Sequence, residues 1–239
     1  MTSEHSDQKR LERALFLIPF VTFAYFYQGA DQSTAARFDL IRSILERRTL
    51  WIDGYAGFNT ADIINFKGHI YSVKAPGTSL TALVPWAWIT TILRPLGTNH
   101  EPMFWALATY LTIVCSTGLL VAWMAVLMFR FALAMGASVG RAAGLAIVLS
   151  FATIVFPYAT ELTGEPIAAA CAFAAFYLLA TFDNRAGPAR ALGSGFLAGL
   201  AVLNDYPTIL IAGAIGIYAV FKLTRWSHAA AFSLGAAIT

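Results

Sequence analysis

The sequence predicts an all-α protein, a polytopic transmembrane helix bundle with an unusually large first extracytoplasmic loop. Three observations carry that prediction. Of the 239 residues, 58% are apolar and only 12% charged, with a mean hydropathy of +0.65, whereas soluble domains carry roughly 25% charged residues. Long uncharged runs follow one another at 14–30, 102–129, 142–160, 166–182, 191–204, 206–221 and 226–239. A helix needs about 20 mostly apolar residues to cross a hydrocarbon core, with about 17 sufficient. The third observation is a charged island, 29–77, holding 11 of the 29 Asp, Glu, Lys and Arg residues, which concentrates the water-facing chemistry in one loop. Period-two alternation, the signature of spanning strands, is absent.

The elements follow in order. Met1–Arg13 and the apolar Ala14–Tyr27 have the n- and h-regions of a signal peptide. Cleavage before Asp31 requires small residues where Tyr27 and Gln28 stand, so the segment reads as an uncleaved first span. Within the island, Ser33 or Thr34 can cap a helix running to about Arg48. Phe38, Leu40, Ile41, Ile44 and Leu45 give it an apolar stripe, and Arg42 can pair with Asp39 and Glu46. Such a helix either lies flat in the membrane interface or packs against the bundle. Asp53-Gly54, Gly57-Phe58-Asn59, Gly68-His69 and Ala75-Pro76-Gly77 are turn sequences, the last two bracketing Ile70–Lys74. Segment 78–93, with Pro85 at its middle and two tryptophans, has the features of both a span and an interfacial helix.

Lys and Arg placement sets the orientation, because cytoplasmic loops carry the excess. If 78–93 does not cross, the pieces 1–13, 130–141, 183–190 and 222–225 are cytoplasmic with nine basic residues, and the short outer loops hold only Arg94. If it crosses, the count becomes four inside and six outside. The first layout is preferred. It makes the N-terminus cytoplasmic and puts the 29–77 loop, the turn Tyr158–Glu165 and the turn Asn204–Pro207 on one outer face.

Composition also excludes function classes. No basic tract interleaved with aromatics lies outside the island, so nucleic acid is not an expected partner. Cys115 and Cys171 sit in apolar runs and read as small core residues. The four histidines are scattered without ligand spacing, so no zinc site is expected. A small-molecule transporter is disfavoured because no Asp, Glu, Lys or Arg interrupts the long apolar runs. In the island, Asp31 stands at headgroup depth, where a carboxylate can act as a general base or hold a cation. A solvated helix-terminal acid has the same sequence signature. Lys74 can meet a phosphate or snorkel from an interfacial helix.

Several pieces in order resemble the first outer loop of the GT-C superfamily of membrane glycosyltransferases, which includes the protein O-mannosyltransferases and the bacterial aminoarabinose transferases for lipid A. These are Ala30-Asp31-Gln32 after the first span, Arg37-Phe38-Asp39-Leu40, the Gly-His-x-Tyr-Ser stretch Gly68–Ser72, and Lys74-Ala75-Pro76-Gly77. Phe156–Thr160 and Asp205-Tyr206-Pro207 are similar to turns in bacterial members. The resemblance implies a polyprenyl-phosphate-linked sugar donor with its tail in the bilayer. It also implies inverting transfer to a glycan, lipid or protein acceptor at the outer face of a bacterial cytoplasmic membrane. Carried over, Asp31 is the catalytic base, and Lys74 and Arg37 contact the donor phosphate. Asp39, His69, Tyr71, Glu161 and Glu165 are further candidates. Gln32, Val73, Ala75 and Glu165 depart from the family pattern, which leaves donor identity and a divalent metal open. Family members run well beyond this length. The chain is therefore expected to be a single transmembrane domain forming the N-terminal part of a longer module, with a truncated, non-catalytic scaffold as the rival expectation.

Overall fold

The computed structural model describes residues 2–29, 31–55, 62–97, 102–183 and 187–239. Its helices are α1 Thr2–Tyr25, α2 Gln32–Arg42, α3 Pro76–Leu93, α4 Pro102–Ile113, α5 Leu119–Ala134, α6 Val139–Phe151, the single turn α7 Val155–Tyr158, α8 Gly164–Ala180, α9 Pro188–Asn204, α10 Ile209–Lys222 and α11 Trp226–Ile238. The only strands among the described residues are β1 Ile63–Phe66 and β2 His69–Ser72, an antiparallel pair with Ile63 opposite Ser72. The architecture is therefore helical, as expected. The expected turn at Gly57-Phe58-Asn59 lies outside the described residues, as do Glu101 and Arg185.

The π turn Val114–Gly118 joins α4 and α5 into one continuous helix, Pro102–Ala134, of 33 residues. Among the described residues it is the one helix long and apolar enough to cross a membrane. The helices at the other apolar runs are shorter: Val139–Phe151, Gly164–Ala180 and Tyr206–Lys222 have 17 residues or fewer. The run 142–160 does not give one helix. It stops at Phe151, and the chain restarts as α7 ahead of the turn to α8.

Inside the island the structure differs from expectation in two ways and chooses between the two placements left open for α2. The cap of α2 is neither Ser33 nor Thr34 but Asp31, whose Oδ1 accepts from the Thr34 amide at 2.6 Å. The cap thus stands two residues before Ser33, and its carboxylate satisfies one of the orphan amides of the first turn. The α-helix ends at Arg42, and a π turn, Ser43–Arg47, carries the chain to Arg48 at φ 58°. Of the two placements, α2 takes the one packed against the bundle. Ala36, Phe38 and Ile41 are fully buried, and Phe38 lies 5.1 Å from the Trp86 ring and 5.9 Å from that of Trp105. Two aromatic walls, from α3 and α4, hold its apolar stripe.

The main core joins Phe38 and Ile41 of α2 with Ala82 and Trp86 of α3, Phe104 and Ala108 of α4, Ile167 and Ala175 of α8, and Ala198 of α9. A smaller cluster, Leu15, Phe129, Ala132, Ala142 and Ala146, fixes α1 to α5 and α6. Beside it Arg130 Nη2 donates to Glu12 Oε2 at 2.6 Å. At the opposite end of α1, Gln28 Nε2 donates to the Pro157 carbonyl at 3.2 Å and to Thr160 Oγ1 at 3.0 Å.

Three chain segments meet at the end of α9. A Cβ on Gly77, at the start of α3, would collide with the backbone of Leu203 and Asn204, and a Cβ on Gly164, at the start of α8, with the Asn204 carbonyl. Thr78 Oγ1 donates to that carbonyl at 3.4 Å. Overpacking of this kind forces backbone shifts. Gly77→Ala and Gly164→Ala should each lower stability by roughly 1–3 kcal/mol. Gly213→Ala, whose Cβ would meet nothing within 4 Å, should be neutral or gain about 0.5–1 kcal/mol in its helix. Thermal unfolding by circular dichroism, with equal Tm for all three, would show that the α9 end has room to spare.

Candidate functional site

The short link from α1 to α2 determines the site. Asp31 ends it, caps α2 and stays exposed. One turn into the helix, Arg37 points back along the same face, and its Nη1 donates to Ser33 Oγ at 2.5 Å. The Arg37 backbone carbonyl accepts from Ser79 Oγ at 3.0 Å, which ties α2 to α3. Arg37 is buried, and its Nε meets no hydrogen-bond acceptor among the described residues. Burial lowers its pKa, and the nearby Glu165, Asp31, Asp62 and Asp205 oppose that fall. A buried guanidinium stays charged here because carboxylates from three separate segments surround it.

The turn Tyr158–Glu165 supplies two of the acids. Glu165 lies in the first turn of α8, and Glu161 in the segment before it. Burial raises the Glu161 pKa, and the like charges of Asp31 and Glu165 push it further, with Arg37 opposing. Thr163, between them, is buried with a hydroxyl that has no partner among the described residues. Asp205, just after α9, completes the set, and its Oδ2 accepts from Thr208 Oγ1 at 3.4 Å. The structure thus gathers Asp31, Arg37, Glu161 and Glu165. With them stand Asp62 and Asp205, acids of the loop and turn that the sequence analysis places on the same face.

Lys74 takes part through an ion pair: its Nζ stands 3.1 Å from Asp62 Oδ1. The hairpin makes that contact. Lys67 and Gly68 turn at φ 50° and 85°, β1 pairs with β2, and the Val73 amide donates to the Asp62 carbonyl at 3.1 Å. A Lys-Gly pair between Ile63–Phe66 and His69–Ser72 is a two-residue hairpin signal, and reading it as one would have placed Asp62 beside Lys74.

His69, Tyr71 and Asp39 stand apart from the acids around Arg37. His69 Nδ1 is 2.7 Å from Asp53 Oδ2, and its ring stacks on Trp51 at 4.3 Å. The hydrogen bond from His69, then that from the Ile70 amide, lowers the Asp53 pKa. Tyr71 sits opposite Ile64 in the hairpin, 6.5 Å from the Phe66 ring. Asp39 does not pair with Arg42 as expected. Arg42 Nε instead reaches Glu46 Oε1 at 3.2 Å and lies over the Tyr55 ring at 4.2 Å. Asp39 is buried with Oδ2 unpartnered among the described residues. Among the described residues, no group of three or more His, Cys, Asp or Glu side chains could hold a metal ion. Comparison with protein-family models, with curated proteins and with solved structures finds no match.

Burial raises the Asp39 pKa from 3.8 to about 7, against the pull of Arg42. Between those values the folded protein keeps the proton and the unfolded chain has lost it. Stability is therefore highest at low pH and falls as pH rises towards about 7. Relative to Asp39→Asn, wild type should lose roughly 1–3 kcal/mol between pH 5 and pH 8. Parallel unfolding of the two proteins across that range checks it, and a constant difference would mean that the carboxyl is solvated.

Proposed function

We propose that the chain is a multi-pass membrane glycosyltransferase of the GT-C kind, which takes a sugar from a polyprenyl-phosphate donor and passes it to an acceptor at the outer membrane face. One observation carries this reading: the buried Arg37 of the first loop lies in the field of Asp31 and Asp62 from that loop and of Glu165 and Asp205 from two later turns. Polyprenyl phosphate needs a cation beside a membrane-embedded surface, and the acceptor needs a base.

The outer faces of the helices support the membrane placement. Leu80, Val84, Trp88 and Ile92 form an exposed ladder at four-residue spacing on α3, and Leu210, Val220 and Phe221 are exposed on α10. Apolar patches of this kind mark membrane or protein contact. The Glu12–Arg130 ion pair and the Gln28 bonds to Pro157 and Thr160 support the preferred layout. Each joins segments that the Lys and Arg count assigns to one side of the bilayer.

In the proposed reaction Asp31 engages one oxygen with the Thr34 amide and uses the other to take the acceptor proton. The acceptor heteroatom bonds to the anomeric carbon as the C–O bond to phosphate breaks, and the electron pair leaves with the phosphate. A singly charged diester becomes a monoester carrying about two charges. Lys74 and Arg37 therefore hold the departing group more strongly than the bound donor, and that difference lowers the barrier. The cap bond of Asp31 and the Asp62–Lys74 pair favour a second reading, a non-catalytic membrane scaffold in which both residues only hold the fold.

Asp31→Asn separates the two readings. Asn caps a helix about as well as Asp, so folding should persist, while removing a general base should slow transfer by roughly 10²–10⁴-fold. Sugar transfer in membranes holding matched amounts of each protein is the assay. Wild-type rates for Asp31→Asn would leave the scaffold reading.

Orientation is tested by single cysteines at the exposed Ser138 and Tyr206, with Cys115 and Cys171 replaced by Ala. An impermeant maleimide on intact cells should label position 206 and spare position 138. The reverse pattern would put the 158–165 and 204–207 turns in the cytoplasm and mean that α3 crosses the bilayer.

A further inference from the structure

Away from the acids around Arg37, a cleft of about 370 Å³ lies at the far end of α3, between its last turns, the π turn after α2 and the start of α4. Trp86 and Phe104, both buried, and Leu45 form its apolar floor. The exposed Arg94 stands at its mouth and forms no ion pair among the described residues. The chain turns back directly behind it, with the Gly97 amide donating to the Arg94 carbonyl at 3.3 Å. Glu46, the one acid among the lining residues, already accepts from Arg42 Nε at 3.2 Å and from the Tyr55 hydroxyl at 2.6 Å. Arg94 is therefore the cation left over. The two hydroxyls of the cleft only accept. Thr90 Oγ1 donates to the Trp86 carbonyl at 2.8 Å and Thr91 Oγ1 to the Ala87 carbonyl at 2.7 Å, so each offers lone pairs and no proton.

We propose that this cleft seats the headgroup of a glycerophospholipid, one whose headgroup carries O–H or N–H donors of its own. The phosphate sits on Arg94, whose planar fork matches phosphate oxygens. The hydroxyl or ammonium of the headgroup donates to Thr90 and Thr91. The acyl chains follow the exposed ladder Leu80, Val84, Trp88 and Ile92, which ends beside Thr91. A soluble anion gains nothing from that ladder, and a purely apolar molecule gains nothing from Arg94. A phospholipid uses both, as headgroups do in basic pockets between membrane helices. The cleft is separate from the proposed donor site. Lys74 precedes α3 and Arg94 follows it, so an 18-residue helix about 27 Å long stands between them. The lipid is thus a second ligand and not the sugar donor.

Native mass spectrometry of the full chain in detergent micelles, titrated with dioleoyl phosphatidylethanolamine, phosphatidylglycerol or phosphatidylcholine, tests this. All three carry the phosphate, but choline has no O–H or N–H donor. Wild type should hold the ethanolamine or the glycerol lipid about three- to tenfold tighter than the choline lipid. Thr90→Val with Thr91→Val should remove that preference. Arg94→Gln should weaken all three lipids about tenfold at a wild-type Tm. Arg141→Gln, which removes an exposed cation of α6 outside the cleft, should change nothing. Equal affinity for the three lipids in wild type, or unchanged binding by Arg94→Gln, overturns the proposal and leaves Arg94 a solvated helix-end cation. An equal loss with Arg141→Gln overturns it too, because net charge alone then accounts for binding. Competition by glycerophosphate or phosphoethanolamine as strong as that of their lipids would assign the cleft to a soluble phosphate ester and overturn the lipid.

Discussion

The close approach of three backbones at the end of α9 sets the rest of the geometry. Gly77 and Gly164 rest against Leu203 and Asn204 with no space for a side chain, so the starts of α3 and α8 are pinned to one point. From that point the chain runs directly into Lys74 on one side, Glu165 on another and Asp205 on the third. Acidic and basic groups separated by over a hundred residues are brought together by contact between main chains. Side-chain interactions then refine the arrangement: Ser79 ties α2 to α3, and Gln28 ties the first helix to the turn at Pro157.

The electrostatic logic follows from burial of Arg37. A guanidinium removed from water needs neighbouring negative charge, and the structure supplies it through several acids at a distance, with Ser33 making the direct contact. The same crowding of carboxylates raises the pKa of Glu161. The Arg37 surroundings therefore hold more acid than the one cation needs.

Helical class and the first loop as the site of concentrated charge were legible in the sequence, because composition and charge spacing report them directly. Charge placement singled out Glu161 and Glu165, position after the first helix singled out Asp31, and Arg37 came only from the family resemblance. Helix ends were not legible: the expectation of one span per apolar run failed at 142–160, since hydropathy does not register where the backbone turns. Asp39 was misread because pairing at i+3 was assumed on a solvated face, whereas α2 buries that face against the helix pair α3–α4. The pairing of Asp62 with Lys74 was missed because it is fixed by hairpin register, a long-range property that the period-two signal of four-residue strands conveys only faintly.

The π turn at Val114–Gly118 has a consequence for the long helix that contains it. An extra residue per turn advances the side-chain pattern by about 100° relative to an unbroken α-helix. Upstream, Phe104 and Ala108 are aimed at α2 and α3, while downstream Phe129 and Ala132 are aimed at α1 and α6. One rod thus presents two inward faces that are out of phase, and it serves the loop-side core and the α1–α5–α6 core at once. Removing a single residue anywhere between 114 and 118 would straighten the rod and restore one phase throughout. Only one of the two cores could then keep its helix in register.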